Sequence, residues 1–408
     1  MRLAVLAHSF PRFPGDTNGP FVKDLSEALA ARGHQVWALV PWDPELIADP
    51  RSALRIESFR YVWPRRWHLL GYSRTLHQDV RLKPWAYLQA PLYLACASRA
   101  LRRLVERERI ELVHAHWILP NGYVASRVAA ATGVPYAVTL HGSDVFMAER
   151  NPLFAAMARR ALAGAAHVTS CSADLRERLL AVGGAHHADK VLLVPNGTAL
   201  APRVALAPGD SAERKVVAVG RMVPKKGFGE LLEAAPRILE RFPDARIVLG
   251  GGGDLLARLA ARAEQLGVGD RVLFPGPLSH HQALELIATA AVFVMPSVRD
   301  PSGNVDGLPI VVLEAMAAGK PVVASAVSGL PLAVDDGRTG RLVPERDPAA
   351  LADAVCELLA DPERAARMGA EGRRRIEREL HWGAVAGRHE DLCRAALVGT
   401  PRALRPSA

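Results

Sequence analysis

The stretch that decides the fold is 299–329, RDPSGNVDGLPIVVLEAMAAGKPVVASAVSG. It follows Val292-Phe-Val-Met-Pro296, an apolar run that reads as a buried strand ending in a turn. A loop of Asp, Ser, Gly and Asn comes next. Leu308-Pro309 then opens an apolar helical segment, Pro being suited to a first position whose N–H has no intrahelical partner. Gly319 closes that helix, where a left-handed residue is favoured, and 321–325 reads as the following strand. Two acids punctuate the stretch. Asp306 lies in the loop before the helix, and Glu314 sits inside it, eight positions later. The amides at the helix start suit an anion such as a diphosphate, whereas carboxylates suit hydroxyl donors such as a ribose or a sugar ring. Taken alone, an ordinary strand-loop-helix with an acid favoured by the helix dipole accounts for these residues equally well.

A chain of 408 residues has room for two cores. With 50% hydrophobic and 23% charged residues it has the composition of a globular protein, and no apolar run approaches the roughly 18 residues of a membrane span. The four cysteines, Cys96, Cys171, Cys356 and Cys393, form no CxxC pair. That argues against a disulfide frame or a zinc cluster and for a reducing compartment. The segment 1–8 is too short for a signal peptide, so a cytoplasmic location is expected. Net charge is +9, unevenly placed: residues 1–200 carry 24 Lys/Arg against 16 Asp/Glu, residues 201–408 carry 27 against 26. An excess of this kind favours anionic partners, and it also fits an Arg-rich composition with no partner behind it.

The first half opens as a strand over 2–8, a helix over 21–32 closed by Gly33, and a strand over 34–40, which is a β-α-β unit. The loop 9–20 lacks G-x-G-x-x-G, so the dinucleotide fingerprint is absent; Gly19 just before the helix lets a ligand approach the backbone. Residues 60–109 are the least regular, interleaving Trp63, Trp67, Tyr72, Trp85, Tyr87 and Tyr93 with arginines. Charge with amphipathic rings suits a membrane interface; single-stranded nucleic acid or a plain solvated face fits the same composition. Nucleic acid would leave the glycine and charge at the strand ends unexplained, and none is expected. Strands follow over 112–116 and 135–141, the second ending in His141-Gly-Ser-Asp144. Ligands of open parallel sheets sit beyond such strand ends. His114, His116 and His141 together are a conceivable metal set, but no carboxylate or Cys at ligand spacing supports it, and no metal is expected.

After Pro195-Asn196-Gly197, a turn, the segment 199–213 has neither helical nor strand period and reads as a linker. A second sheet starts at 215–220, followed at once by Arg221-Met-Val-Pro-Lys-Lys226-Gly227 and a helix from Phe228. Cations, a tight glycine turn and a helix start make a phosphate site, though not one with Walker spacing. The run Gly250–Gly253 ends the next strand. Every loop at a strand end of this half carries Gly or charge, and that coherence outweighs any single loop.

By these residues the chain resembles the retaining glycosyltransferases of family 4, over roughly 3–395. The family's acid-x7-acid motif is matched by Asp306-GLPIVVL-Glu314, its Gly-Arg…Lys-Gly loop by Gly220-Arg221…Lys226-Gly227, and its His-Gly-x-Asp segment by 141–144. Its Pro-Asn-Gly turn and N-terminal glycine loop are matched by 195–197 and 15–20. The resemblance implies an α/β, GT-B fold of two facing Rossmann-like, doubly wound parallel-sheet domains. These would be an acceptor-side domain at 1–198, a linker at 199–213 and a nucleotide-sugar domain at 214–375. A helix at 376–398 would return to the first domain, and 399–408 would form a disordered tail.

It also implies roles. Glu314 binds the ribose hydroxyls, Arg221 and Lys226 the diphosphate, and Asp306 with Gly307, Leu308, Pro309, Ile310 and Val311 the donor sugar and phosphate. Asn196 joins the donor site, His141 lies beside the transferred sugar, and Gly19 approaches donor or acceptor. The expected reaction moves a hexosyl unit from a UDP- or GDP-sugar to a hydroxyl of a glycan or lipid-linked acceptor, with retention and without an essential metal or cofactor. The setting would be cell-envelope or exopolysaccharide synthesis, peripheral to the membrane through 60–109. The first acid is Asp where the family usually has Glu. A carboxylate one methylene shorter sits deeper or works through a water, which leaves the donor sugar open. A nucleotide-sugar-binding protein without transfer, or an epimerase on the same fold, is the alternative.

Overall fold

The computed structural model describes residues 1–399 except 17, 48, 65, 66, 69, 73–75, 78–80, 83 and 201–213, and the side chains of 73–87 lie outside the description. Most of the expected linker, the tail beyond 399, and Arg65, Arg66, Trp85 and Tyr87 as side chains therefore fall outside it. The chain divides into two units. One runs to Val194 and resumes at Trp382; the other is Pro195–His381.

The first unit contains, in chain order, β1 (Arg2–Leu6), α1 (Pro20–Ala31), β2 (Gln35–Pro41), β3 (Arg55–Phe59), α2 (Pro84–Glu108), β4 (Leu112–His116), α3 (Tyr123–Thr132), β5 (Tyr136–Leu140), α4 (Ser143–Arg150), α5 (Pro152–Gly164), β6 (His167–Ser170), α6 (Ala173–Gly183) and β7 (Val191–Leu193). The strands form one parallel sheet in the order β3-β2-β1-β4-β5-β6-β7. Every residue of β4 and β5 is buried, as expected for central parallel strands covered by helices on both faces. The direction of strand order reverses between β1 and β4, and the crevice beyond their carboxyl ends is where such sheets bind ligands.

The sequence leaves 60–109 irregular, yet 84–108 is one helix of 25 residues. Pro91 inside it removes a backbone donor and interrupts the helical signal. The aromatic residues of that region divide: Tyr72 and Tyr93 are buried, while Trp63 and Trp67 are exposed. Helices α4 and α5, which the sequence reading did not single out, follow His141.

The second unit contains β8 (Lys215–Val219), α7 (Phe228–Arg241), β9 (Arg246–Gly250), α8 (Leu256–Gln265), β10 (Val272–Gly276), α9 (His280–Ala288), β11 (Val292–Met295), α10 (Ile310–Ala317), β12 (Val322–Ser325), α11 (Leu330–Ala333), β13 (Gly340–Val343), α12 (Pro348–Ala360) and α13 (Pro362–Arg375). Its sheet is also parallel, in the order β10-β9-β8-β11-β12-β13, with the reversal between β8 and β11. Val216, Ala218, Ile247, Leu249, Val292 and Val294 pack with Leu231, Leu232 and Ile238 of α7 and with Leu351, Val355 and Leu358 of α12 to form its core. One helix, α14 (Trp382–Val398), belongs to the first unit. Its Val385 and Ala386 join the core there, and Glu390 pairs with Arg32 just beyond α1. Among the described residues no helix is long and apolar enough to cross a membrane.

Candidate functional site

In the second unit the loops after β8 and β11 meet at the reversal of strand order. The loop after β8 is fastened on one side to the glycine run after β9: Gly220 N–H donates to Gly250 O (2.9 Å) and Met222 N–H to Gly252 O (2.8 Å). On the other side Val298 N–H, after β11, donates to Lys225 O at 3.0 Å. A turn over Pro224–Lys226 delivers the chain to Gly227, which caps α7 in the left-handed region at φ 65°. A Cβ built on Gly227 would stand 1.7 Å from Pro296 O. Only glycine satisfies both the conformation and the contact.

This fastening puts two lysines against the first acid. Lys226 Nζ lies 2.7 Å from Asp306 Oδ2 and Lys225 Nζ 3.2 Å from Oδ1, all three side chains being about 15% exposed. Burial by itself would raise the Asp306 carboxyl, but Lys226 and Lys225 outweigh it and hold the group well below the usual carboxylate range. The acid is ionised at any working pH, and the three charges form a compact set with net +1. Gly307 beside it is fixed from the loop after β12, its carbonyl accepting from Gly329 N–H (2.8 Å) and Ser328 Oγ–H (3.1 Å).

Pro309 is the N-cap of α10 with ψ 117°, and the helix starts at Ile310, one residue later than the sequence suggests. The pyrrolidine ring fixes φ at the entry without belonging to the helix. Ile310 and Val311 are half-buried at that start, while Leu308 and Pro309 are buried. Glu314 is 9% exposed and accepts from His280 Nε2 at 2.8 Å. His280 opens α9 and, 34 positions away, gave no sign of this partnership in the sequence. Arg221 is exposed at the start of the lysine loop. Asn196 is half-buried near Thr198, whose N–H donates to Leu380 O at 3.0 Å; the structure does not bring it into the Lys–Asp group.

The first unit builds its own constellation at its reversal point. Asp144, wholly buried, accepts from Ile118 N–H (2.6 Å) and Gly142 N–H (3.0 Å), tying the turn after β4 to the His141 turn after β5. Burial dominates and pushes its carboxyl up to about 6 despite those hydrogen bonds. His141 shares a hydrogen bond with His116 (Nε2 to Nδ1, 3.0 Å) and packs on Trp117 and Phe21. Burial holds both imidazoles well below 6.5, so they are neutral near pH 7. Asn121 Nδ2 spends its two protons on His116 O (2.7 Å) and His8 Nδ1 (3.1 Å). His8 therefore accepts at Nδ1 and, being neutral, carries its proton on Nε2. Neither His8 nor Asn121 was singled out in the sequence, since no motif includes them.

Gly19 is left-handed at φ 60°, and a Cβ there would meet Ser9 O at 2.8 Å, so the chain's own loop demands the glycine. His114 Nε2 bonds Thr139 Oγ1 at 2.8 Å and its ring stacks on His116, and among the described residues no group of His, Cys, Asp and Glu is arranged to hold a metal ion.

Comparison with known proteins covers both units. Residues 19–201 match the model described as Glycosyltransferase Family 4, and 208–375 match the model described as Glycosyl transferases group 1. The GDP-mannose-dependent alpha-(1-6)-phosphatidylinositol monomannoside mannosyltransferase of Mycobacterium tuberculosis is 34% identical over 305 residues, covering 72% of this chain and 78% of that one. The alpha-maltose-1-phosphate synthase of Mycolicibacterium smegmatis is 32% identical, covering 78% and 87%. Among solved structures, sucrose-phosphate synthase from Thermosynechococcus elongatus superposes with a TM-score of 0.72 at 24% identity, over 98% of this chain and all of that one. Anabaena HepE, solved with UDP-glucose, gives 0.68 at 18% identity over 97% of this chain and all of that one. These structures share the GT-B fold. The chain belongs to glycosyltransferase family 4, the group 1 glycosyltransferases.

Proposed function

We propose that the protein transfers a hexosyl unit from a nucleoside diphosphate sugar, a UDP- or GDP-sugar, to a hydroxyl of a glycan or lipid-linked acceptor, with retention of configuration. The observation that carries this reading is the Lys225–Asp306–Lys226 group at the strand reversal of the second unit, with Glu314 on the helix that follows. Lysines held side by side by an acid are preset for two phosphates. A diphosphate that takes them over frees Asp306 to accept from a sugar hydroxyl, and Glu314 is suited to the ribose.

In the reaction the bond from the anomeric carbon to the phosphate oxygen breaks and a bond to the acceptor oxygen forms on the same face. The acceptor proton passes to the leaving phosphate. Negative charge grows on that phosphate as the bond opens, and Lys225, Lys226, Arg221 and the amides at the start of α10 would stabilise it in place of a metal ion. His141, neutral, is suited to donate to the transferred sugar. The relative named for a phosphatidylinositol mannoside supports a lipid-linked acceptor. Work on the inner face of a membrane, in assembly of envelope glycans, follows from that reading.

The test is a panel of nucleotide sugars with the protein in excess chelator, the product anomer being read by NMR. Consumption of one UDP- or GDP-sugar with retention is the expected result. Inversion, or strict dependence on Mg²⁺ or Mn²⁺, would overturn the mechanism; binding of no nucleoside diphosphate would overturn the donor site.

A further inference from the structure

The first unit holds a cavity of about 270 Å³. One end is polar, formed by His8, Ser9 and Ser143 beside Trp117, which packs on His141. The rest is mainly apolar, walled by Pro91, Tyr93 and Leu94 of α2, Met147 of α4, and Leu153, Phe154 and Met157 of α5, the Tyr93 phenol being its polar exception. Leu153 both lines the cavity and is 65% exposed, so the cavity opens to the surface there. Leu88 and Leu92, one helical turn apart on the same helix α2, are 70% and 52% exposed. A large exposed aliphatic side chain such as Leu153 on the wall of an apolar cavity costs free energy in water and signals an apolar ligand.

We propose that this cavity holds the hydrocarbon chain of an amphiphilic acceptor, whose hydroxyl-bearing head lies at the His8–Ser9–Ser143 end. The inference rests on the transfer reading above and narrows its acceptor to one carrying an aliphatic chain. A free glycan has no use for the apolar wall. An aliphatic chain suits the leucine, methionine, proline and phenylalanine lining, and the Nε2–H that the Asn121 contact leaves on His8 is a donor suited to an acceptor oxygen. The head then stands beside the Trp117–His141 pair, at the strand ends where an α/β sheet presents its chemistry.

The experiment is calorimetric titration with butyl, hexyl, octyl and decyl glucosides below their micelle concentrations, on the whole protein and on Met157→Trp and Met157→Glu. Met157 is partly exposed, so both substitutions are compatible with folding; an unchanged circular dichroism spectrum and unchanged hydrogen-exchange protection of the first unit verify its fold. The expected result is a gain in affinity of about twofold to fourfold per methylene in the natural protein, levelling once the chain outgrows the cavity, with the gain abolished in both variants. A flat series, or an undiminished gain in both variants, overturns the proposal. A steep series without turnover of any nucleotide sugar supports the cavity and overturns the transfer reading. Transfer to soluble sugars with a flat series does the reverse.

Discussion

Lys226 Nζ lies 2.7 Å from Asp306 Oδ2, so a cation and an acid assigned to different parts of one ligand are each other's partners in the folded chain. A diphosphate at Lys226 has to compete with that carboxylate. Asp306→Asn removes the competitor and leaves both lysines in place. The variant is expected to bind UDP or GDP about threefold to tenfold more tightly, because surrendering the two partly buried charge pairs of Asp306 costs about 1 kcal/mol in all. Turnover should fall at the same time, by about tenfold or more, because the sugar loses its acceptor. Calorimetry and initial rates separate the two. Weaker nucleotide binding would show that the acid helps hold the diphosphate and does not oppose it.

The acid inside α10 has a different partner and a different prediction. Glu314→Ala is expected to raise the donor KM by about 10–100-fold, the range for a hydrogen bond between a charged group and a hydroxyl. His280→Ala should change it by no more than about threefold, since His280 is 64% exposed and serves to orient the carboxylate. Nucleotides lacking a ribose hydroxyl make the check specific. Their penalty should be large with the natural protein and small with Glu314→Ala; equal penalties would detach Glu314 from the ribose.

Much of this was legible in the sequence because it is local. Strand, glycine-rich loop and helix repeat with a clear period, so both sheets and the loops that carry Lys226, Asp306 and Glu314 could be placed from the chain alone. What escaped is pairing across distance. Nothing in the order of residues says that Asp306 meets Lys225 as well as Lys226, that His280 meets Glu314, or that Asn121 fixes the tautomer of His8. Those contacts follow from the strand order, which brings β8 beside β11 and β1 beside β4. Helix α2 escaped for the opposite reason: a local breaker, Pro91, is overridden by packing, with Tyr93, Ala97, Leu101 and Leu104 of the same helix buried.

The buried histidines give the first unit a pH dependence with a fixed sign. Burial lowers His8 to about 4, His114 to about 3 and His167 to about 4, and holds His116, His141 and His389 well below 6.5. Unfolded, each takes up a proton near pH 6.5; folded, each resists until far lower. Their stabilisation is therefore present above pH 6.5 and is lost as pH falls toward about 4, at up to about 1.4 kcal/mol per pH unit for each proton. Asp144, raised to about 6, acts in the opposite sense: its contribution is present below the ordinary carboxylate range and is lost as pH rises through 6. One acid against six imidazoles does not reverse the slope. Hydrogen exchange between pH 7 and 4.5 should show the first unit opening before the second. Equal protection of both units across that range would contradict the assignment of these histidines as buried and neutral.

The lysine loop turns into α7 through Gly227, and that is open to a clean comparison. At Gly227 the φ of 65° is unfavourable for any L side chain, and the added Cβ would meet the Pro296 carbonyl at 1.7 Å. Because that obstacle is backbone, it cannot swing aside as a flexible side chain would. Either the loop after β8 or the strand end at Pro296 must move, and both carry the Lys–Asp group. Gly227→Ala is expected to destabilise the second unit by more than about 3 kcal/mol and to weaken nucleotide binding beyond detection. Gly229 lies two residues on, inside α7, with nothing within 4 Å of a built Cβ. Gly229→Ala should be neutral or stabilising by up to about 1 kcal/mol, with nucleotide affinity unchanged. Urea unfolding and calorimetry on the pair read both effects. If Gly227→Ala bound UDP or GDP as the natural protein does, the turn between Pro224 and Phe228 would not be what presents the lysines, and the phosphate site would have to lie elsewhere in the second unit.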